Sequence, residues 1–330
     1  MWVRDEFFLH AVFDDDRLVG VAPLMRTVRP AVGPLRLREL QFLGADQNLT
    51  ELRGVLCRPE DHANVMRTLH AHFLDRPGDW DRVQWCGLRA DACAGLRQPA
   101  DLVSERQVCD YYLPLPATWD ELRSGLSRNM KESLRKCYNS LASQGITFNF
   151  RVVREPGEVG IALGRLFELH AQRARAPDTV RHANVFATPR ARAFLCEYAQ
   201  RMAERDQLRI FELEIAGQIV ASRVGFVLGE ELYLYYSGYA PEWSNYSVMT
   251  TVVAEAIRWA VGQQFKGVNL STGNDRSKAR WKPNEIVFCE RVMRSPGRQG
   301  RLLSGIDKLR HAAPQSILGR VLSVARRGAT

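Results

Sequence analysis

The sequence has no CxxC pair, no HExxH, and no apolar run near the ~18–20 residues that cross a bilayer. Its seven cysteines (57, 86, 93, 109, 137, 196 and 289) are odd in number and scattered. That pattern argues against a disulfide frame and for reduced thiols. No His/Cys cluster has zinc spacing, and His70 and His72, two apart, would diverge on a helix, so no structural metal site is expected. The start MWVRDEFFLH lacks a signal-peptide pattern, which with the absence of an apolar span leaves a cytoplasmic enzyme or binding protein as the expectation. Lysine is scarce: 40 of the 46 cations are arginine, a bias expected of a GC-rich bacterial genome and uninformative about mechanism.

What is present is an ordinary globular composition, 45% hydrophobic and 25% charged, over 330 residues. That length favours two domains. The net charge of +9 is uneven. Residues 1–112 hold 14 Lys+Arg against 17 Asp+Glu, residues 113–295 hold 25 against 19, and residues 296–330 hold 7 against 1. The later part therefore carries a field that attracts a polyanion such as a CoA phosphate, a nucleic acid or an acidic lipid. The same charge also serves solubility.

Local patterning predicts an α/β chain. Phe8–Phe13 and Leu18–Arg26 read as strands joined by the turn Asp14-Asp15-Asp16, and LRLRELQFLG continues the sheet. Residues 60–74 place Val65, Met66, Leu69 and Phe73 at helical spacing. WDRVQWCGL is a buried strand, residues 90–106 read as helix and loop, and CDYYLPLP closes the first unit. A long amphipathic helix is expected over 119–145, with Thr118 as N-cap, Glu121 completing a capping box and Gly145 ending it. Its apolar stripe is Leu122, Leu126, Met130, Leu134, Tyr138 and Leu141; Arg128, Lys131 and Arg135 fall opposite.

The second unit repeats the scheme at larger scale. ITFNFRVV is a strand, and helices are expected at 157–175 and 188–205. Three antiparallel strands follow, turning at Ala216-Gly217 and Gly229-Glu230. SVMTTVVAEAIRWAVGQQF is a helix, and KGVNLSTG is the last clear strand. The expected division is residues 1–112, residues 113–298 including the helix 119–145, and a basic tail 299–330 of two short amphipathic helices split by Pro314. That tail is expected to pack on the body; lying on a membrane surface is the alternative.

Several stretches in order resemble the GNAT acyltransferase superfamily, and more closely the tandem-GNAT bacterial proteins of the cellulose-biosynthesis-associated acetyltransferase family, relatives of the Fem-type peptidyltransferases. They are DDDRLVGVAPL, LQFLGADQN, LSRNMKESLRKCYNSL, LFELHAQRA, GQIVASRVGFVLGEELYLYYSGYAPEW and GVNLSTGNDRSKARW. The resemblance implies two GNAT-like mixed, mostly antiparallel sheets flanked by helices, in tandem (α/β, or α+β). It implies an N-acyltransferase that moves an acyl group from acetyl-CoA or another acyl-CoA to an amine of a polar metabolite or an envelope or polysaccharide precursor. An aminoacyl-tRNA donor, as in Fem-type enzymes, is one alternative; a non-catalytic binding protein of GNAT fold is another. Proteins of this kind often carry a further segment before the first hairpin, where this chain begins, so the first unit is open to being incomplete at its start.

Carried onto this sequence, the acyl donor would lie where the strands 231–240 and 267–273 splay. Simple alternation puts Leu232, Leu234, Tyr236 and Gly238 on one face, and Tyr233, Tyr235, Ser237 and Tyr239 on the other. Asp275, His170 and Tyr236 are the candidate catalytic groups, Asp275 as base or amine-binding carboxylate and His170 as a second candidate base. Ser244, Asn245 and Ser247, at the start of the next helix, with Lys278 and Arg280, are candidates for the donor's phosphates. Arg173, Tyr239 and Trp281 are candidates for the acceptor. Two departures stand out: Ser247-Val248-Met249 where small residues and a glycine usually open that helix, and Ser277 where tyrosine is usual.

Overall fold

The computed structural model describes residues 4–31, 34–44, 49–89, 92–93, 102–176, 182–273 and 276–302. The first strands are β1 (Arg4–Phe7), β2 (His10–Asp14), β3 (Arg17–Ala22), β4 (Leu24–Pro30), β5 (Arg36–Phe42) and β6 (Leu56–Cys57). Helix α1 (His62–Leu74), β7 (Arg82–Leu88) and β8 (Leu102–Pro114) follow. Next come α2 (Trp119–Gly125), α3 (Arg128–Ala142), β9 (Phe148–Val153), α4 (Pro156–Arg175) and α5 (Pro189–Ala203). The antiparallel run is β10 (Leu208–Ile215), β11 (Gln218–Leu228) and β12 (Glu231–Tyr239). A 3-10 turn (Pro241–Tyr246), α6 (Val248–Gly262), β13 (Gly267–Thr272), the short α7 (Arg276–Ala279) and β14 (Asn284–Arg294) complete the chain.

Two compact units result, one of residues up to Val108 joined by the strand from Val287, the other Cys109–Ile286. In the first, β1-β4-β5-β7-β14 are neighbours in order, with β5 and β7 parallel across α1. Beside them lies a three-stranded sheet β2-β3-β6. Of the first two strands expected, Leu18–Arg26 breaks in two and Phe8–Phe13 starts late. Pro23 separates β3 from β4, because proline cannot donate to a ladder. Phe8 and Leu9 lie outside any strand, so β2 begins at His10, and β1, not foreseen as a strand, enters the other sheet. Two further expectations change: residues from Leu102 form β8 where helix and loop were read, and β14, not foreseen as a strand, returns to the first unit.

In the second unit the order is β8-β13-β12-β11-β10-β9, antiparallel except for β12 with β13. Both faces of its central strands are covered. All residues of β10 except Glu214 are buried, as expected of a strand packed on two sides. On one face Leu122, Met130, Leu134, Val252 and Ile257 of α2, α3 and α6 meet Phe211, Leu232 and Leu234. The predicted helix 119–145 is two helices. Thr118 makes the full capping box with Glu121, but Ser127 starts α3 by accepting the Met130 N–H, which interrupts the first helix after Gly125. On α4, Val159, Leu163, Leu166, Leu169 and His170 are buried. Arg165 of that helix donates twice, at 2.7 and 2.8 Å, to Glu212 of β10, a carboxylate with no solvent exposure. Gly238 is what lets α4 come so close to β12: a Cβ there would stand 2.3 Å from the His170 nitrogen.

Candidate active site at the parting of two strands

β12 and β13 pair in parallel at Glu231↔Gly267, Leu232↔Val268 and Tyr233↔Asn269, and pairing stops there. Both strands run on, to Tyr239 and Thr272, so a gap opens between their C-terminal halves. β12 also carries a bulge: Arg223 faces Ser237 while Gly225 faces Leu234, leaving an extra residue on the β12 side. The bulge changes the expected alternation. Tyr235 packs on Phe226, and Tyr236 packs on His170 and Phe186, with the two tyrosine rings only 4.6 Å apart. Neighbours in sequence, they do not point to opposite faces as simple alternation required.

One cluster of candidates forms on the β12 side of the gap. His170 is 5% exposed, and its Nδ1 lies 2.8 Å from the Ser237 carbonyl, which can only accept, so Nδ1 carries the proton. Burial pushes its pKa below the usual histidine value; the Ser237 carbonyl opposes this and the nearby Arg173 charge adds to it. His170 is thus a neutral strut between α4 and β12. Arg173, one turn on, donates to Ser237 Oγ at 3.3 Å and to His182 Nε2 at 2.9 Å. Its guanidinium lies over the Tyr239 ring at 5.7 Å. At the C-terminal end of α4 a cavity of about 640 Å³ is lined by Ala171, Ala174, Arg175, His182, Ala183 and Asn184. His182, Asn184 and Phe186 were not foreseen; the loop that holds them has no periodicity to mark it.

The second group stands on the β13 side. Lys278, on α7, bends back so that Nζ donates to the Thr272 carbonyl at 2.5 Å and Ser271 Oγ at 3.4 Å. Asp275 lies outside the described residues. Trp281 is 3% exposed and its ring sits 6.5 Å from that of Trp119 in the core, not on a rim. Arg280 is exposed, and close enough to Cys137 for its charge to act on that buried thiol. Burial pushes the Cys137 pKa up, while hydrogen bonding with Ser247, Thr250 and Thr251 opposes it. Ser247 takes the left-handed conformation (φ 54°) and its side chain makes no cap, while its carbonyl accepts the Thr250 and Thr251 N–H groups. Ser244 and Asn245 are exposed on the preceding 3-10 turn, together with Glu242.

Residues 128–282, nearly half the chain, match the family model described as an acetyltransferase (GNAT) domain. No curated protein matches the chain by sequence. Among solved structures it is similar to FemX, with 10% identity over 86% of this chain and 88% of that one (TM-score 0.54). It is similar as well to the C-terminal domain of a putative lysylphosphatidylglycerol synthetase from Agrobacterium fabrum, at 12% identity over 89% and 86% (TM-score 0.51). A conserved protein of unknown function from Bacteroides thetaiotaomicron gives 13% identity over 83% and 86% (TM-score 0.50). The chain has a GNAT-superfamily fold related to that of Fem-type enzymes. The matched stretch lies wholly within the second unit. Among the described residues no helix is long and apolar enough to cross a membrane.

Proposed function

We propose that the second unit is an acyltransferase that accepts an activated acyl group in the gap between β12 and β13 and passes it to an amine. The observation that carries this reading is the end of parallel pairing at Tyr233/Asn269, which exposes two strand edges to a ligand between them. The donor supplies an activated carbonyl. The chain supplies position and charge: the N-terminal end of α6, to which Ser247 gives no side-chain cap, and the exposed Arg280 guanidinium suit a phosphate-bearing donor such as acyl-CoA. Lys278 brings an ammonium to the end of β13, where negative charge on the reacting carbonyl or the donor would be met. Tyr236, Arg173 and Tyr239, with the adjoining cavity, form the acceptor side.

A second reading has support of its own. Fem-type enzymes, to whose fold this one is related, use aminoacyl-tRNA, and residues 113–295 carry six more cations than anions (25 against 19). Thermal shift with acetyl-CoA, a long-chain acyl-CoA and charged tRNA in parallel separates the two. Stabilisation by CoA species that is lost in Arg280→Ala supports the first reading; stabilisation by tRNA alone replaces it with the second. No response to any donor would leave a binding protein that has kept the fold.

A further inference from the structure

The strand GVNLSTG places polar residues in a buried position, and their partners form a chain. Asp110 of β8 is 3% exposed, and its Oδ2 accepts a 2.7 Å hydrogen bond from Asn269 Nδ2. Asn269 Oδ1 accepts the Ser271 backbone N–H, also at 2.7 Å. Ser271 is 4% exposed and holds φ +73°, a left-handed conformation disfavoured for any residue with a Cβ. It stands where the β13–β8 register slips, between Asn269↔Tyr112 and Thr272↔Asp110. Just beyond it, the Thr272 carbonyl and Ser271 Oγ both face the Lys278 ammonium.

A plain strand end needs neither a buried carboxylate nor a left-handed serine. Both are costs, and here they adjoin the gap where β12 has already parted from β13. The left-handed residue turns the strand so that a side-chain oxygen and the next carbonyl converge on one cation. Asn269 cannot ionise, so the chain transmits position, not a proton.

We propose that Asp110, Asn269 and Ser271 form a positioning relay that fixes the Lys278 ammonium at the open end of the β12–β13 gap. As a statement about the acyl-transfer site this rests on the reading above, but the relay itself can be tested without any donor. Competitive labelling of lysines with trace acetic anhydride, read by mass spectrometry across pH 7–11 as a range bracketing the ordinary lysine pKa, reports the reactivity of each amine. Lys131, Lys136 and Lys282 serve as references. Asn269→Ala, Asp110→Ala and Ser271→Gly should each raise Lys278 labelling relative to the references by about fivefold, the factor carried by one lost hydrogen bond, and shift its pH profile. Ser271→Gly keeps the test open if the other two fail to fold, because glycine adopts the left-handed conformation freely. Unchanged Lys278 labelling and pH profile in folded Ser271→Gly and Asn269→Ala would overturn the relay. A wild-type protein that binds neither acyl-CoA nor tRNA would instead sink the acyl-transfer reading while leaving the labelling result to stand.

Discussion

Replacing Gly238 by alanine tests how α4 is seated on β12, beside the proposed acceptor side. The added Cβ would lie 2.3 Å from the His170 nitrogen, 2.6 Å from the Leu169 carbonyl carbon and 2.9 Å from His170 Cα. All three atoms are helix backbone, which cannot swing aside as a side-chain tip can. Relief requires α4 to back away from β12 by about 1 Å, since carbon contacts settle near ~3.5–4 Å. Overpacking of this kind costs ~1–3 kcal/mol, and loss of the His170–Ser237 hydrogen bond adds ~1 kcal/mol, so the expected loss is ~2–4 kcal/mol. Gly164 on the same helix is the control: a Cβ added there would meet nothing within 4 Å, and alanine at that position should gain ~1 kcal/mol of helix propensity. Urea unfolding of the two variants, read on the transition of the second unit, should separate them by ~3–5 kcal/mol. A Gly238→Ala protein within ~0.5 kcal/mol of wild type would refute the close seating of α4 on β12.

Two further outcomes follow from buried groups. Arg165→Met should cost ~3–5 kcal/mol by leaving Glu212 buried without its partner, whereas Arg165→Met combined with Glu212→Leu should recover most of that loss; equal destabilisation in urea melts would place the cost elsewhere. His170 has a folded pKa below its unfolded one, so the unfolded chain binds the extra proton first. Stability should therefore fall as pH drops through the unfolded value and stop falling below the folded one, with a slope no steeper than ~1.4 kcal/mol per pH unit. Wild type compared with His170→Asn between pH 7 and 5, chosen to span the ordinary histidine pKa, should show that component vanish in the variant; identical slopes would exclude it.

Much of the second unit was legible because its signals are local. Thr118 and Glu121 announce a capping box, Ala216-Gly217 and Gly229 take the positive φ angles that hairpin turns require, and Met130, Leu134 and Leu141 repeat at helical spacing. The stretch GVNLSTGNDRSKARW could be read as a strand, a turn and a cationic cluster. Its division of labour could not: Trp281 turned into the core, Lys278 bent back onto the strand end, and Arg280 stayed exposed near α6. A side chain's role depends on which neighbours it meets, and for Trp281 and Arg280 those come from residues 119 and 137.

By itself, then, the amino-acid sequence determined the order of helices and strands over most of the chain and the resemblance to the GNAT superfamily, because periodicity, caps and turns act over a few residues. Only the tertiary structure decided where β12 and β13 part, that a bulge sets Tyr235 and Tyr236 side by side, and that β14 belongs to the first unit. It alone joined Asp110 to Asn269 across 159 positions of sequence. Such pairings are chosen by burial and hydrogen-bond satisfaction summed over a whole sheet, and no short window of residues contains that sum.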